Sequence, residues 1–372
     1  MPEAKKSVAL SGIVVADTSI CSIDPDRGIL MYRGYDITDL AEHASYEEVA
    51  YLLLEGELPA GSQLDSFRDE LASGELPPAV AAIVDYHARD ASPMEMLRTA
   101  VSALSFGDPA EGAIDRDAER GKAARLIAQL PTIVARYQAR RAGRRAPDPD
   151  PSLGVAENFL TTLRGEAPST EEVDAFEIAM ILHAEHEMNA STFTARVVAG
   201  TNADVHSAIV AAICALKGPL HGGANRAATE LLDEWRSADR VPDGIRARLE
   251  AKEPLYGFGH PLYRAMDPRV PILRRLTQQF AEGGGEPNLH AVAEAAEHEA
   301  YEQKGLWPNV DLYSGVLYRY LGLPNDLFPA IFAMSRVSGQ AAHVLEQHAG
   351  GKIIRPSAEY VGPEPREFPV RA

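Results

Sequence analysis

Cysteine is nearly absent from this chain. Cys21 and Cys214 are the only two among 372 residues, and they stand far apart. That excludes a disulfide scaffold and any CxxC zinc site, and it fits a reducing compartment. Long apolar runs are missing too. The longest uninterrupted one, AIVAAICAL at 208–216, is about half of the roughly 18 residues that span a bilayer. Basic charge is in deficit, with 36 Lys and Arg against 54 Asp and Glu, a formal net charge of −18 and a pI near 5.1. Duplex nucleic acid needs a basic footprint, so it is excluded as a partner. The 29 glycines and 26 prolines are about 15% of the chain, well below the roughly 25–30% of low-complexity sequences. The opening MPEAKKSVALSG has two lysines and no apolar stretch, so no secretory signal is expected. These absences describe a soluble, cytoplasmic protein with no membrane or nucleic-acid partner.

What is present is material for a large core. Hydrophobic residues make up 45% of the chain, and at this size about three quarters of the extended surface can be buried. Length alone allows two or three domains. One hairpin signal stands out in GIVVADTSICSIDPDRGILMYRGYDI (12–37), where two β-branched runs flank Asp24-Pro25-Asp26-Arg27-Gly28. From there the pattern is helical. Ser45 and Glu48 form a capping box before Val49, Leu52 and Leu53, with Gly56 near the end. Helical periodicity recurs at 92–105, 122–139, 171–186, 203–216, 223–235, 290–303, 312–321 and 328–348. The segments 107–121, 140–154 and 282–288 read as connections. The fold class is therefore mostly α with a short N-terminal β-ribbon. Arg136, Arg140, Arg141, Arg144 and Arg145 invite a polyanion reading, although cations also suit a helix C-terminus.

Eleven histidines guide the search for chemistry. His43, His87, His206, His290, His298, His343 and His348 lie in polar helical patterns, where a surface or satisfied structural role is the default. His221 differs, because it sits in KGPLHGGAN before a helical run. Gly218-Pro219 cannot continue the preceding helix, and Gly222-Gly223 clear space beside the ring. A histidine at a helix start feels the positive dipole end, stays neutral and can donate a hydrogen bond to a carbonyl; a plain loop histidine is the alternative. His260 repeats the design in YGFGHPLYRAMDPR, between Gly257, Gly259 and Pro261. The stretch 252–275 carries a local charge of about +3 within an acidic chain, which marks an anion site. Asp311, after Pro308-Asn309-Val310 and before an apolar helix, reads either as an N-cap or as a partly desolvated base. His183 and His186 fall on one helical face at i, i+3 with Glu187 next. A metal pair is one reading, but the order HxxHE matches neither the HExxH nor the HxxEH zinc signature, and no metal is assigned.

Taken together these blocks resemble the citrate synthase family. The likeness runs from about residue 10 to 365 and is carried by HAEHEMNASTFTARVVAG and LKGPLHGGAN (183–225), GFGHPLYRAMDPR (257–269), PNVDLYSGVLYRYLGLPNDLFPAIFAMSR (308–336) and RPSAEYVG (355–362). The resemblance implies condensation of acetyl-CoA with oxaloacetate and hydrolysis of citryl-CoA to citrate, the entry to the tricarboxylic acid cycle, with no cofactor beyond these substrates. It implies that His221 donates to the thioester carbonyl, Asp311 takes a proton from the acetyl methyl, and His260 protonates the ketone oxygen. Arg269, Arg336 and Arg355, with His186 assisting, would hold the oxaloacetate carboxylates, and Arg355 would reach across a homodimer interface. Ser191 and Asn309 would support the catalytic groups. Arg264 would meet a CoA phosphate, with Leu255, Gly257 and Gly259 facing the adenine. The implied fold has a large lobe of 1–219 and 323–372 and a small lobe of 220–322 that closes over substrate. One departure stands out. Many bacterial relatives carry Arg-Val after the GFGH motif, and this chain has Pro261-Leu262, which removes a cation near the CoA phosphates. The nearest rival is a 2-methylcitrate synthase using propionyl-CoA, since one methylene is worth only about 1–3 kcal/mol in a pocket. A catalytically silent CoA-binding paralogue is the reading from another class, opposed by the intact His221, His260, Asp311 and arginines.

Overall fold

The computed structural model describes residue 10 and residues 13–368, apart from 73, 111, 285 and 286. Most of the opening segment 1–12, and part of the loop expected at 282–288, therefore lie outside the described residues. The hairpin forms as expected. Strands β1 (Cys21–Asp24), β2 (Ile29–Tyr32) and β3 (Tyr35–Asp36) make an antiparallel sheet in that order, with Cys21 opposite Tyr32 and Asp24 opposite Ile29. Asp24 closes the turn by accepting from the amides of Asp26 and Arg27, the Asx geometry that suits aspartate to turns.

Sixteen α-helices follow among the described residues. They are α1 (Ile37–His43), α2 (Tyr46–Glu55), α3 (Gly61–Ala72), α4 (Pro78–His87), α5 (Pro93–Leu104), α6 (Arg116–Arg141), α7 (Val155–Arg164) and α8 (Thr170–His183). The second half comprises α9 (Ala190–Ala199), α10 (Val205–Leu216), α11 (Ala224–Trp235), α12 (Val241–Ala251), α13 (Arg269–Glu282), α14 (Pro287–Lys304), α15 (Val310–Tyr320) and α16 (Phe328–Gly350). The capping box of Ser45 and Glu48 starts α2, and Gly56 ends it in the left-handed region. Each segment with helical periodicity is a helix over most of its length. The structure adds α1, α3, α4, α7, α9, α12 and α13. It also corrects one connection, since α6 begins at Arg116, with Asp115 accepting from the Ala118 amide.

The arginine-rich end of α6 is tied down rather than displayed. Arg136 holds Asp85 through two hydrogen bonds of 2.8 and 2.9 Å, Arg141 holds Asp326 at 2.9 Å, and Arg144 donates to the Leu163 carbonyl. These contacts engage three of the five arginines that invited a polyanion reading, while Arg145 is exposed. At the centre lies α16, whose residues from Phe328 to Val344 are buried nearly throughout apart from Pro329. It packs against α2, α6, α8, α9 and α10. That burial orients Phe332, Arg336 and Gln340, spaced one turn apart on a single face. No helix among the described residues is long and apolar enough to cross a membrane.

Candidate active site

Three loops and two helix ends converge on one group of side chains. The first loop follows α8. The periodicity of 171–186 predicts helix through His186, but α8 stops at His183, Glu187 takes a left-handed φ of 52°, and Asn189 caps α9 by accepting from the Thr192 amide. His183 and His186 therefore do not share a helical face, and the premise of the metal pair is corrected. His183 is fully buried and donates from Nδ1 to the Ala179 carbonyl at 2.7 Å. His186 places Nε2 3.2 Å from the Tyr263 hydroxyl, with its ring 5.1 Å from that of His260.

The second loop carries His221, in a turn just before α11. Gly222 is required there by close approach, since a Cβ would lie 2.3 Å from the Leu216 carbonyl oxygen. The Ser191 amide lies 3.3 Å from His221 Nε2, and the Ser191 hydroxyl lies 2.9 Å from it. An amide can only donate, so Nε2 is the acceptor and the proton of the neutral ring sits on Nδ1. Burial, then the nearby Arg336 charge, hold this imidazole down at about 4. The neutrality expected from the helix start thus has these further causes.

The third loop, 257–263, carries His260. Leu262 and Tyr263 donate their amides to its Nδ1 at 3.1 and 3.3 Å, which places the ring proton on Nε2. The turn stiffened by Pro261 is the one that fixes this tautomer. Burial, then Arg269, hold His260 near 4 as well. Asn309 links the loop to α15. Its amide donates to the Gly257 carbonyl at 2.9 Å, its Nδ2 donates to the Gly259 carbonyl at 2.9 Å, and its Oδ1 accepts from the Asp311 amide at 3.0 Å. Gly257 adopts a φ of +87° and faces Ala228 and Leu312 so closely that a Cβ would lie 3.1 Å from Ala228 Cβ. Asn309 is therefore the cap of α15, and the capping reading of Asp311 is corrected. The Asp311 carboxyl hydrogen-bonds no described residue, and burial raises it to about 6 against the pull of Arg269 and Arg336.

Two buried guanidinium groups complete the group. Arg269, at the start of α13, is forked onto Asp267 at 2.9 and 2.6 Å. Arg336 donates from Nε to the His183 carbonyl and lies 4.6 Å from the Phe332 ring centre. Its terminal nitrogens hydrogen-bond no described residue, although the side chain is 1% exposed. A desolvated guanidinium whose terminal donors hydrogen-bond no described carboxylate can receive an anion.

Other expected residues lie elsewhere. Arg264 is exposed and paired with Asp26 of the hairpin turn at 2.7 Å. Arg355 stands in an exposed, extended C-terminal segment and makes no ion pair with any described residue. His343 is a satisfied structural histidine, 3.0 Å from both Arg196 and Glu185. Sequence reasoning missed Tyr263, Phe332, Asp267 and Gln340. The two on α16 carried a signal, standing four residues either side of Arg336.

A helical protein that sets neutral, proton-donating imidazoles beside a buried carboxyl of raised pKa and an unpaired guanidinium is equipped for proton abstraction and carbonyl activation on an anionic substrate. The family model described as citrate synthase, C-terminal domain, matches residues 9–357. Citrate synthase 2 of Bacillus subtilis (strain 168) is 43% identical over 361 residues, covering 96% of each chain. The 2-methylcitrate synthase of Shewanella oneidensis is 40% identical over 371 residues, covering 99% of this chain and 98% of its own. The structure of a ternary complex of citrate synthase from Thermoplasma acidophilum with carboxymethyl coenzyme A and oxaloacetate aligns with a TM-score of 0.92 at 33% identity, covering 97% of this chain and 98% of that one. The chain belongs to the citrate synthase family.

Proposed function

We propose that this protein condenses acetyl-CoA with oxaloacetate and hydrolyses the resulting citryl-CoA to citrate and CoA, acting in the cytoplasm without a further cofactor. The observation that carries the reading is geometric: backbone amides fix the ring proton of His221 on Nδ1 and that of His260 on Nε2. Asn309 takes the cap of α15, so the Asp311 carboxyl is not used there, while burial raises Asp311 to about 6 and holds both rings near 4. At neutral pH this gives one base and two neutral donors within a single group of side chains. A thioester methyl is too weak an acid for a carboxylate unless its oxygen is stabilised as the proton leaves. Asp311 takes that proton, and the Nδ1–H of His221 meets the developing enol oxygen. The enol carbon attacks the ketone of oxaloacetate while Nε2–H of His260 passes to the ketone oxygen. Water then cleaves the thioester.

Arg336 and Arg269, with His186, hold the oxaloacetate carboxylates. Arg355 reaches the same substrate in a homodimer, from the exposed segment of a second copy. Closure moves a small lobe of 220–322 against the rest of the chain. Leu255, Gly257 and Gly259 face the adenine, with Ser191 and Asn309 behind the catalytic groups. Arg264 must leave Asp26 to meet a CoA phosphate.

The test is oxaloacetate-dependent release of free thiol from acetyl-CoA and, separately, from propionyl-CoA. A higher kcat/KM with acetyl-CoA is expected. The opposite preference makes the protein a 2-methylcitrate synthase with the same groups in the same roles, and no thiol from a folded protein overturns the reading.

The pH dependence follows from the same groups. Only the ionised form of Asp311 is a base, so kcat/KM is expected to rise with pH along a single acid limb near 6. The histidines, held near 4, stay neutral across that range and add no second limb. A limb that persists in Asp311→Glu but moves with the new carboxyl assigns it to this position.

A further inference from the structure

Gln340 lies on α16 one turn beyond Arg336, and it is 1% exposed. No step of the proposed reaction uses it. Its Nε2 donates to the Ser191 hydroxyl at 3.1 Å, and that hydroxyl lies 2.9 Å from His221 Nε2. A competitor stands nearby, because Asn189 Oδ1 is 2.8 Å from the same hydroxyl and accepts from it. A serine hydroxyl has one proton and two lone pairs. If its proton stays with Asn189 and both lone pairs are free, the oxygen draws an N–H from His221 Nε2, and the ring proton leaves Nδ1. A donor from the other side takes one lone pair and leaves the oxygen only one to offer, whereas an acceptor in its place would draw the hydroxyl proton away from His221. Gln340 is that donor. Together with the Ser191 amide at 3.3 Å, it makes Nε2 an acceptor.

We propose that Gln340, acting through Ser191, is a positioning residue that keeps the His221 proton on Nδ1, where it hydrogen-bonds no described residue and is available to a substrate carbonyl. The inference rests on His221 serving as the donor in the proposed condensation. It predicts an asymmetry between two variants of similar size. Gln340→Met removes the donor and leaves the Ser191 amide in place. Gln340→Glu replaces the donor with an acceptor, which takes the hydroxyl proton and forces His221 to donate from Nε2.

The experiment reads the His221 tautomer by 15N NMR on the histidine-labelled full chain, with His221→Gln identifying the signal, alongside steady-state kinetics. In the wild type the proton is expected on Nδ1. Gln340→Met is expected to lower kcat about fivefold, the scale of one net hydrogen bond. Gln340→Glu is expected to move the proton to Nε2 and to lower kcat about 100-fold, as for a lost oxyanion donor. In Gln340→Met the KM for oxaloacetate should stay within about twofold, since that change adds no charge near Arg336. Wild-type kcat and an unmoved tautomer in both variants overturn the inference. If Gln340→Glu does not fold, Gln340→Met decides it: a lower kcat with part of the His221 proton moved to Nε2 supports the inference, and wild-type values of both overturn it. A wild type that releases no thiol, yet shows the tautomer shift in Gln340→Glu, overturns the proposed reaction and supports the positioning role. An active wild type with no shift does the reverse.

Discussion

Replacing Asp311 by asparagine is expected to lower kcat by about a thousandfold, within the range assigned to a positioned general base, while oxaloacetate still binds. The carboxamide has nearly the shape of the carboxyl and no basicity. Asn309 supplies the cap of α15 through its own side chain and accepts the residue 311 amide, so the substitution leaves the helix start intact. A structural role for Asp311 and a catalytic one then predict opposite stability changes. Burial raises the carboxyl from 3.8 to about 6 in the folded chain, so between those values the native state holds more protons than the unfolded one. Stability is lost as pH rises through that window, and at pH 8 the ionised Asp311 is a burden on the fold. Asparagine has no such ionisation, and Asp311→Asn should melt at a higher temperature than the wild type at pH 8. Loss of turnover with a raised Tm marks a group kept for chemistry at a cost in stability. Loss of turnover with a lowered Tm would assign Asp311 to the scaffold instead.

The parts of the site that were legible in the sequence are those encoded within a few residues. The capping box of α2, the Asp24–Gly28 turn and the glycines flanking His221 and His260 each follow from local backbone chemistry, and each appears where expected. Distant partners were not legible. The tautomer of His221 depends on Ser191, thirty residues earlier, and on Gln340 behind it. The proposed anion site depends on Arg336 meeting the carbonyl of His183 rather than a carboxylate. Local signals also competed. Asn309 and Asp311 are both good caps, and nothing in the sequence says that Asn309 takes the role; its amide and side chain are also needed to hold the 257–259 loop. The apolar periodicity of α8 runs on to His186, but the Asn189 cap of α9 ends it, a signal present in Asn189-Ala190-Ser191-Thr192. Some helices had weak patterns, such as α3 with only Phe67 and Leu71 buried. α7 did not, because Ala156, Phe159, Leu160 and Leu163 stand at helical spacing and all are buried. It directly follows the connection expected at 140–154, and its residues carried no assignment.

Arg336→Leu is expected to raise the KM for oxaloacetate about 100-fold or more, since two charge-assisted hydrogen bonds of roughly 1.5–3 kcal/mol each are lost. The geometry makes this arginine unlike the others. Arg269 already spends its fork on Asp267, and removing it strands a buried carboxylate, so any loss there mixes binding with folding. Arg336 spends only Nε, on the His183 carbonyl. Glu185 is near enough to favour its charge, but no hydrogen bond joins them, and Glu185 is instead bound to His343. A buried, unpaired cation opposes folding, and leucine at the same site packs against Phe332 without that penalty. Loss of the bond to the His183 carbonyl and of the cation beside buried Glu185 offsets that gain. The empty variant should therefore melt near the wild type, and the rise in Tm that oxaloacetate gives the wild type should vanish. Arg336→Lys separates charge from shape, because an ammonium keeps the charge but cannot fork across a carboxylate. Its KM should fall between the two. Arg336 also lowers the pKa of both His221 and Asp311. Leucine should therefore move the acid limb of kcat upward at saturating oxaloacetate, because Asp311 then ionises at a higher pH. A KM unchanged in Arg336→Leu would place the carboxylates elsewhere. A raised KM with an unmoved acid limb would keep the anion site and remove its coupling to the base.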